Sequence, residues 1–400
     1  MINLGAWFSA APPLEARHIS SGLNSKLIGA EETFADHISN SRDMIRKVRT
    51  ASGAAELSKI IVGNAPFELE PVGNNTAGMS KPWRRGVLLT HGLSDSPYFM
   101  RHLAAFFQAQ GFRVMAVLLP GHGTQPGDLL DATWQEWARA VAYGTDKIAA
   151  EADEVYLAGY SAGGALSIYQ SLLDKRVRGL FLFSPALEIS QLAAFAWTHK
   201  VVSWLFPRVK WVDIKPDKDI YKYESFAKNT ATQMYALTES LAERLKNHEL
   251  IIPIFTVASA DDKTVVTQTT IEFMARQTNP CNKFILYSTE EKSTQENPSA
   301  DKIEWIKSVL PEQKILSSSH TAIVVAPEDE HYGENGDYVN CIHYYPDDMA
   351  KYTACTASPK DNFKGEINDK NLQVGMLQRL MCNPHFAALK TSLKSFIDNL

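Results

Sequence analysis

From residue 86 onward the chain alternates short, continuously apolar runs with amphipathic helical stretches, and this rhythm limits the folds open to it. Gly86–Thr90 (GVLLT), Phe112–Leu119, Glu154–Ala158 (EVYLA), Gly179–Phe183 and Ile251–Val257 each read as strands buried on both faces. Between them lie helix signals. Ser96-Pro97 supplies an N-cap and an N1 proline ahead of Leu103, Phe106 and Phe107, and Gly111 closes that helix. Thr133–Glu136 (TWQE) is a capping box leading into Trp134, Trp137 and Val141. Strands separated by helices imply a mostly parallel, twisted sheet with helices on both faces, whose sites lie at the carboxyl ends of the strands.

The flanking regions are read the same way. Residues 20–60 read as helix, with Phe34, Ile38, Ile45 and Val48 on one face, and 66–72 as a short strand. Residues 187–245 are expected to be mostly helical, forming a cap over the sheet edge. Lys283–Ser288 is strand-like, 289–302 a polar surface loop, Lys314–Ser319 (KILSSS) a short strand, and 374–398 a final helix. The expected organisation is an N-terminal helical extension and first strand over 1–80, a core over 81–186 and 251–325, a cap insertion over 187–250, and a C-terminal extension over 326–400 packed on the core.

Composition excludes several functions. With 40 Lys and Arg against 45 Asp and Glu, the net charge is −5 and no basic block stands out, so nucleic acid is not an expected partner. No apolar run approaches the ~18 residues that span a bilayer. The N-terminal MINLGAWFSAAPPLEARH lacks a basic stretch before its apolar part, so the default expectation is a soluble, cytoplasmic protein, with export left open. The four cysteines, at 281, 341, 355 and 382, form no CxxC pair. Cys341 and Cys355 close a short disulfide loop if the protein is exported, and otherwise remain buried thiols. GxGxxG after a strand, a P-loop and HExxH are all missing, so no cofactor is expected. No metal is expected either, since Glu328, Asp329, His331, Cys341 and His343 show no diagnostic ligand spacing.

Gly159-Tyr160-Ser161-Ala162-Gly163 matches G-x-S-x-G directly after a strand and before a helix. There the chain turns sharply, glycines make room, and the Ser161 hydroxyl stands at a helix N-terminus whose amides face any developing anion. Such a serine needs a base and an oriented acid, in the chain order serine, acid, histidine. Of the histidines after residue 250, His320 follows the run KILSSS. His331 sits in a polar turn, while His343 and His385 suit packing or capping, so His320 is the expected base. The strand Ile251–Val257 ends in ASADDKTV, where either Asp261 or Asp262 could hold the imidazole, with Glu188 a distant third. Alternatively, both aspartates cap a helix over 265–277. An oxyanion needs two N–H donors. Ala162 follows the nucleophile, and Leu93 lies in the loop His91-Gly92-Leu93-Ser94, which His91 is expected to brace.

HGLSDSPYFMRHLAAFFQAQGFRVMAVLLPGHGTQPGDLLDATWQEW, followed by GYSAGG, resembles the α/β-hydrolases, in particular the bacterial carboxylesterase and monoacylglycerol lipase (lysophospholipase-like) branch. The likeness is dense over about residues 84–170 and returns at ASADDKTVV and SSSHTA. It implies Ser161 as nucleophile, His320 as base, Leu93 and Ala162 as backbone donors, and Asp262 as the acid, because Thr264-Val265 matches the end of the acid loop. The implied activity is cleavage of carboxylic esters by a serine esterase. Acyl transfer or amide hydrolysis on the same fold, and a non-catalytic lipid- or partner-binding protein, are the alternatives. Phe195, Trp197, Trp204, Phe206 and Trp211 in the cap read as core packing, as a wall for an acyl chain, or as a surface resting on lipid, which favours a small-molecule or lipid ester with an apolar acyl group. Oligomeric state is not legible.

Overall fold

The computed structural model describes residues 12–23, 32–73, 80–189, 207–246, 248–290 and 303–400. In chain order the first half carries α1 (Phe34–Ala51), α2 (Leu57–Asn64), β1 (Phe67–Leu69), β2 (Trp83–Thr90), α3 (Arg101–Ala109), β3 (Phe112–Val117), α4 (Trp134–Glu151), β4 (Ala152–Tyr160), α5 (Ala162–Leu173) and β5 (Val177–Phe183). There follow β6 (Trp211–Asp213), β7 (Phe226–Ala227), α6 (Lys228–Lys246), β8 (Ile254–Ser259), α7 (Thr267–Ala275), β9 (Lys283–Ser288) and β10 (Ile303–Lys307). The chain ends with α8 (Met349–Ala357), β11 (Phe363–Gly365), α9 (Asp369–Leu372), β12 (Leu377–Arg379) and α10 (Phe386–Ile397).

Eight strands form one sheet in the order β1-β3-β2-β4-β5-β8-β9-β10. Only β1 runs antiparallel, pairing with β3, and the other neighbours are parallel. This is the architecture of an α/β-hydrolase. Successive strand residues feed opposite faces. Leu88, Met115, Leu157, Leu180 and Leu182 meet Trp137, Val141 and Leu166 on one side. Val87, Leu89, Phe181 and Phe255 meet Phe107, Leu393 and Phe396 on the other. Helix α10, near the C-terminus, thus shares that second face with α3. The Thr133 capping box forms as expected, its hydroxyl and amide exchanging bonds with Glu136. Phe34, Ile38, Ile45 and Val48 are all buried.

Several local expectations differ. The helix expected over 20–60 is α1 and α2, separated by a turn at Gly53, where φ is +69°. Residues 207–227 hold no α-helix, only a 3-10 turn at Pro207–Lys210. A two-strand ribbon of β6 and β7 is tied by Asp217, whose carboxylate accepts from the amides of Glu224 and Ser225. KILSSS forms only isolated bridges at Ile315. The hydroxyls of its serines bond to main chain instead, Ser319 to Leu380 O for example, and this competes with a ladder. The last helix begins at Phe386 and not near 374, because Leu377–Arg379 pairs with Phe363–Gly365 and Asn383 turns back to bond Val325 and Ile323. Phe195, Trp197, Trp204 and Phe206 lie outside the described residues. Trp211 is buried, edge-on to His18. Cys341 and Cys355 form a disulfide.

Candidate active site

Ser161 sits between the end of β4 and the first residue of α5 with φ +55° and ψ −117°. A non-glycine residue adopts such angles only where its surroundings over-determine it. Here the Ser161 amide donates to Phe183 O at 2.9 Å, and the Ser161 carbonyl accepts from Gly164 and Ala186. The flanking glycines are required by contact. A Cβ at Gly159 would stand 2.2 Å from Gly163 O, and one at Gly163 would stand 2.1 Å from Thr90 O.

Three chain ends converge on this turn. The Ser161 hydroxyl donates to His320 Nε2 at 2.9 Å, and His320 Nδ1–H donates to Asp262 Oδ2 at 2.6 Å. All three side chains are buried. Asp262 follows β8, and its second oxygen accepts from the amides of Thr264 (2.7 Å) and Val265 (3.1 Å). Burial alone would raise the Asp262 carboxyl, but the charge and hydrogen bond of His320, with those two amides, outweigh it and hold it below the ordinary carboxylate value. His320 sits on a single 3-10 turn, His320–Ala322.

The other candidates are engaged elsewhere. Asp261 accepts from Thr289 (2.8 Å) and Ser308 (3.2 Å) at the ends of β9 and β10. Glu188 accepts from Thr269. Helix α7 is capped by neither aspartate, since its N-cap is Val266. His331 contacts Asp219 and Asp337, and His385 stacks on Tyr287. Among the described residues no group of three or more His, Cys, Asp and Glu could hold a metal ion.

His91 braces its loop. Its Nδ1–H donates to Gly92 O at 2.8 Å while Nε2 accepts from the Leu119 amide at 3.1 Å. Burial, reinforced by His122, keeps it neutral by pushing its pKa well down. Leu93 lines the cavity beside Ser161, and Ala162, as the first residue of α5, has no i−4 carbonyl within its helix.

Four contributors lack a legible sequence signal. Tyr160 OH donates to His320 O at 3.1 Å, and Glu366 Oε2 accepts from the His320 amide at 3.1 Å. Arg379 Nη2 pairs with the other oxygen of Glu366 at 3.1 Å. Lys222 reaches into the loop of Leu93, donating to Leu93 O at 3.3 Å, to Ser94 Oγ at 3.0 Å and to the buried Asp95 carboxylate. The cavity above Ser161 has a volume of about 410 Å³. One wall carries Ile189, Phe226, Met234 and Val265, and residues after 337 supply another.

Residues 81–290, more than half of the chain, match the model of the family described as serine aminopeptidase, S33, a hydrolase family. The chain belongs to this family. It is 31% identical over 109 residues to a thermostable monoacylglycerol lipase of Bacillus sp. (strain H-257), covering 27% of this chain and 44% of that protein. It therefore spans less than half the length of that relative. A carboxylesterase of Bacillus subtilis (strain 168) is 23% identical over 186 residues, 46% of this chain and 74% of that protein. Among solved structures, the metagenome-derived lipolytic enzymes LipS and LipT give a TM-score of 0.46 at 20% identity, over 62% of this chain and 88% of theirs. The monoacylglycerol lipase of Paleococcus ferrophilus gives 0.43 at 17%, over 58% and 91%. Among the described residues no helix is long and apolar enough to cross a membrane.

Proposed function

We propose that this protein is a serine hydrolase that cleaves carboxylic esters with an apolar acyl chain. The observation that carries the reading is the unbroken relay Ser161 Oγ, His320 Nε2, His320 Nδ1, Asp262 Oδ2 beside a cavity with an apolar wall. In the proposed reaction Ser161 Oγ attacks the ester carbonyl carbon as its proton passes to His320 Nε2. Asp262 stabilises the imidazolium, and the tetrahedral oxyanion rests on the Leu93 and Ala162 amides. The C–O bond to the alcohol breaks and His320 protonates the leaving oxygen. Water then attacks the acyl-enzyme with His320 as base, releasing the acid and restoring Ser161.

Residues 187–250 act in this reading as a cap, since Lys222, Phe226 and Met234 line the cavity. A lipid ester is the expected substrate class, with the cap as the face that meets a lipid surface. The Cys341–Cys355 bond supports an exported protein over a cytoplasmic one.

An aminopeptidase reading is weaker. A substrate ammonium needs an unpaired carboxylate, and Asp95 is paired with Lys222 and Glu366 with Arg379. Glu224, which burial pushes up to about 7, already accepts from Tyr338.

The test is turnover of p-nitrophenyl esters and labelling by a fluorophosphonate. Ser161→Ala is expected to abolish labelling and to lower kcat by ~10⁴-fold or more. An unlabelled wild type that turns over no acyl ester overturns the reading.

A further inference from the structure

Phe226 and Met234, two residues of the apolar wall, belong to β7 and α6. Both elements are tied to a segment far away in sequence, residues 15–21. This N-terminal strap makes two attachments. The first is to the β6–β7 ribbon. Arg17 Nε donates to Asp217 Oδ2 at 3.0 Å, and its Nη2 donates to Lys215 O at 3.2 Å. His18 Nδ1 accepts from the Glu15 amide at 2.9 Å, which leaves Nε2–H to donate to Ser225 Oγ at 3.2 Å. The buried His18 ring also stands edge-on to Trp211, with centroids 5.0 Å apart. The second attachment is to the 3-10 turn Pro126–Leu130. There the Ser21 amide and hydroxyl donate to the two oxygens of Asp128 at 2.6 and 2.9 Å, and Gln125 donates to Ile19 O at 2.7 Å. The main chains touch: a Cβ at Gly127 would stand 2.1 Å from Ile19 O.

Each attachment leads to the wall in one further step. Asp217 accepts from the amides of Glu224 and Ser225, next to Phe226. It holds φ at +51°, which a non-glycine residue keeps only where its neighbours over-determine it. Burial opposes its charge, and the hydrogen bonds of His18 and Ser225, with the charge of Arg17, outweigh that. On the other route, Leu129 O and Ala132 O accept from Asn229 Nδ2 at 3.0 and 2.8 Å, in the first turn of the helix that carries Met234. Among the described residues, none of the strap lines the cavity. The strap also precedes the 81–290 region matched by the family model.

We propose that this strap sets where the acyl wall stands relative to Ser161, with Arg17 and His18 as positioning residues for acyl-chain selectivity that do not touch substrate. A wall held at both β7 and α6 discriminates between acyl chains, since each methylene it buries is worth about a fourfold gain in kcat/KM. A wall free to shift buries every chain loosely and discriminates little. The strap therefore acts on KM for long chains and leaves the bond-breaking steps alone. This inference rests on the ester-hydrolase reading.

The test is the ratio of kcat/KM for p-nitrophenyl octanoate to that for p-nitrophenyl acetate, whose two-carbon acyl group offers the wall little to bury. In wild type the ratio is expected to exceed about tenfold. In Arg17→Ala/His18→Ala it is expected to fall by about tenfold through KM for the octanoate, with kcat for the acetate and the rate of fluorophosphonate labelling kept within about twofold. His18→Gln, which keeps a donor for Ser225, should lie between the two. A ratio taken within one preparation is insensitive to the folded fraction, so a poorly folding double variant still reports. A wild-type ratio near one, or a double variant that keeps the wild-type ratio whether or not both rates fall, overturns the role of the strap and leaves the ester-hydrolase reading intact. No turnover of either ester, with Ser161 unlabelled by a fluorophosphonate, overturns both.

Discussion

Glu366 holds His320 by its main chain: a fully buried carboxylate oxygen accepts the His320 amide at 3.1 Å, although the two residues are 46 positions apart. The imidazole is therefore anchored by Asp262 on the ring and by Glu366 on the backbone, where Tyr160 OH also donates to His320 O. The 3-10 turn that carries it gives little rigidity of its own.

Replacing Glu366 with Leu leaves the buried His320 amide unsatisfied and Arg379 without its carboxylate. The imidazole then loses register with Ser161, and kcat for an ester is expected to fall by about 10–100-fold, as small misplacements of reacting groups do. Glu366→Gln keeps an acceptor for the amide and should lose less. Steady-state kinetics with the rate of fluorophosphonate labelling checks both. A Leu variant that labels at the wild-type rate would remove the second anchor from the picture.

Lys222 secures the loop that presents Leu93. Lys222→Met strands Asp95, a carboxyl already pushed up by burial and held down chiefly by Lys222. Stability is expected to drop by about 3 kcal/mol, the cost of breaking a buried pair. Catalysis should fall as well, by less than the ~10²–10³ that deletion of an oxyanion donor costs. Adding Asp95→Asn should restore the denaturation midpoint without restoring kcat, separating the charge from the loop.

Glu224 predicts a pH dependence of stability. Burial raises its folded-state pKa from 4.5 to about 7, with the Tyr338 hydroxyl pulling against that and Asp219 adding to it. A raised acid pKa means the folded state binds more protons than the unfolded one, so stability declines as pH rises between those two values and levels off above the higher. Each unit is worth about 1.4 kcal/mol, giving a few kcal/mol in all. Thermal midpoints measured from pH 4.5 to 8 should therefore fall more in wild type than in Glu224→Gln. Parallel curves would show that Glu224 ionises normally.

The Cys341–Cys355 bond closes a loop with a separation of 14 residues. Its removal in Cys341→Ser/Cys355→Ser should cost about 3 kcal/mol, read as the shift in denaturant midpoint. Asn340 and His343 flank Cys341, so KM should rise before kcat falls. Thiol counting on unfolded, unreduced wild type should find two free cysteines, since Cys281 and Cys382 are unpaired.

Much of the site was legible because its parts sit where local sequence has a local meaning. G-x-S-x-G after an apolar run specifies the turn at Ser161. The run Ile254–Ser259 delivers an aspartate at its carboxyl end, although only the resemblance separated Asp262 from Asp261. His320 was reached by order in the chain together with the strand expected before it, and that strand does not form. Glu366, Arg379 and Lys222 gave no signal. Glu366 and Lys222 act through contacts between residues 46 and 129 apart, Arg379 acts only through Glu366, and a lone Glu, Arg or Lys reads as a solvated charge. The irregular path of 207–227 was missed for a related reason: turns held by Asp217 and Ser225 depend on tertiary neighbours more than on periodicity.

Helix α10 closes one face of the sheet, and its aromatic residue Phe396 packs against Phe181 and Phe255 of the adjacent strands β5 and β8. The segment before it lines the substrate chamber. A ribosome must therefore pass residue 396 before the sheet is sealed or the chamber has its last side. Fragments trimmed to residues 81–290 would expose greasy strands, and grafting that portion onto another tail would exchange selectivity and solubility together.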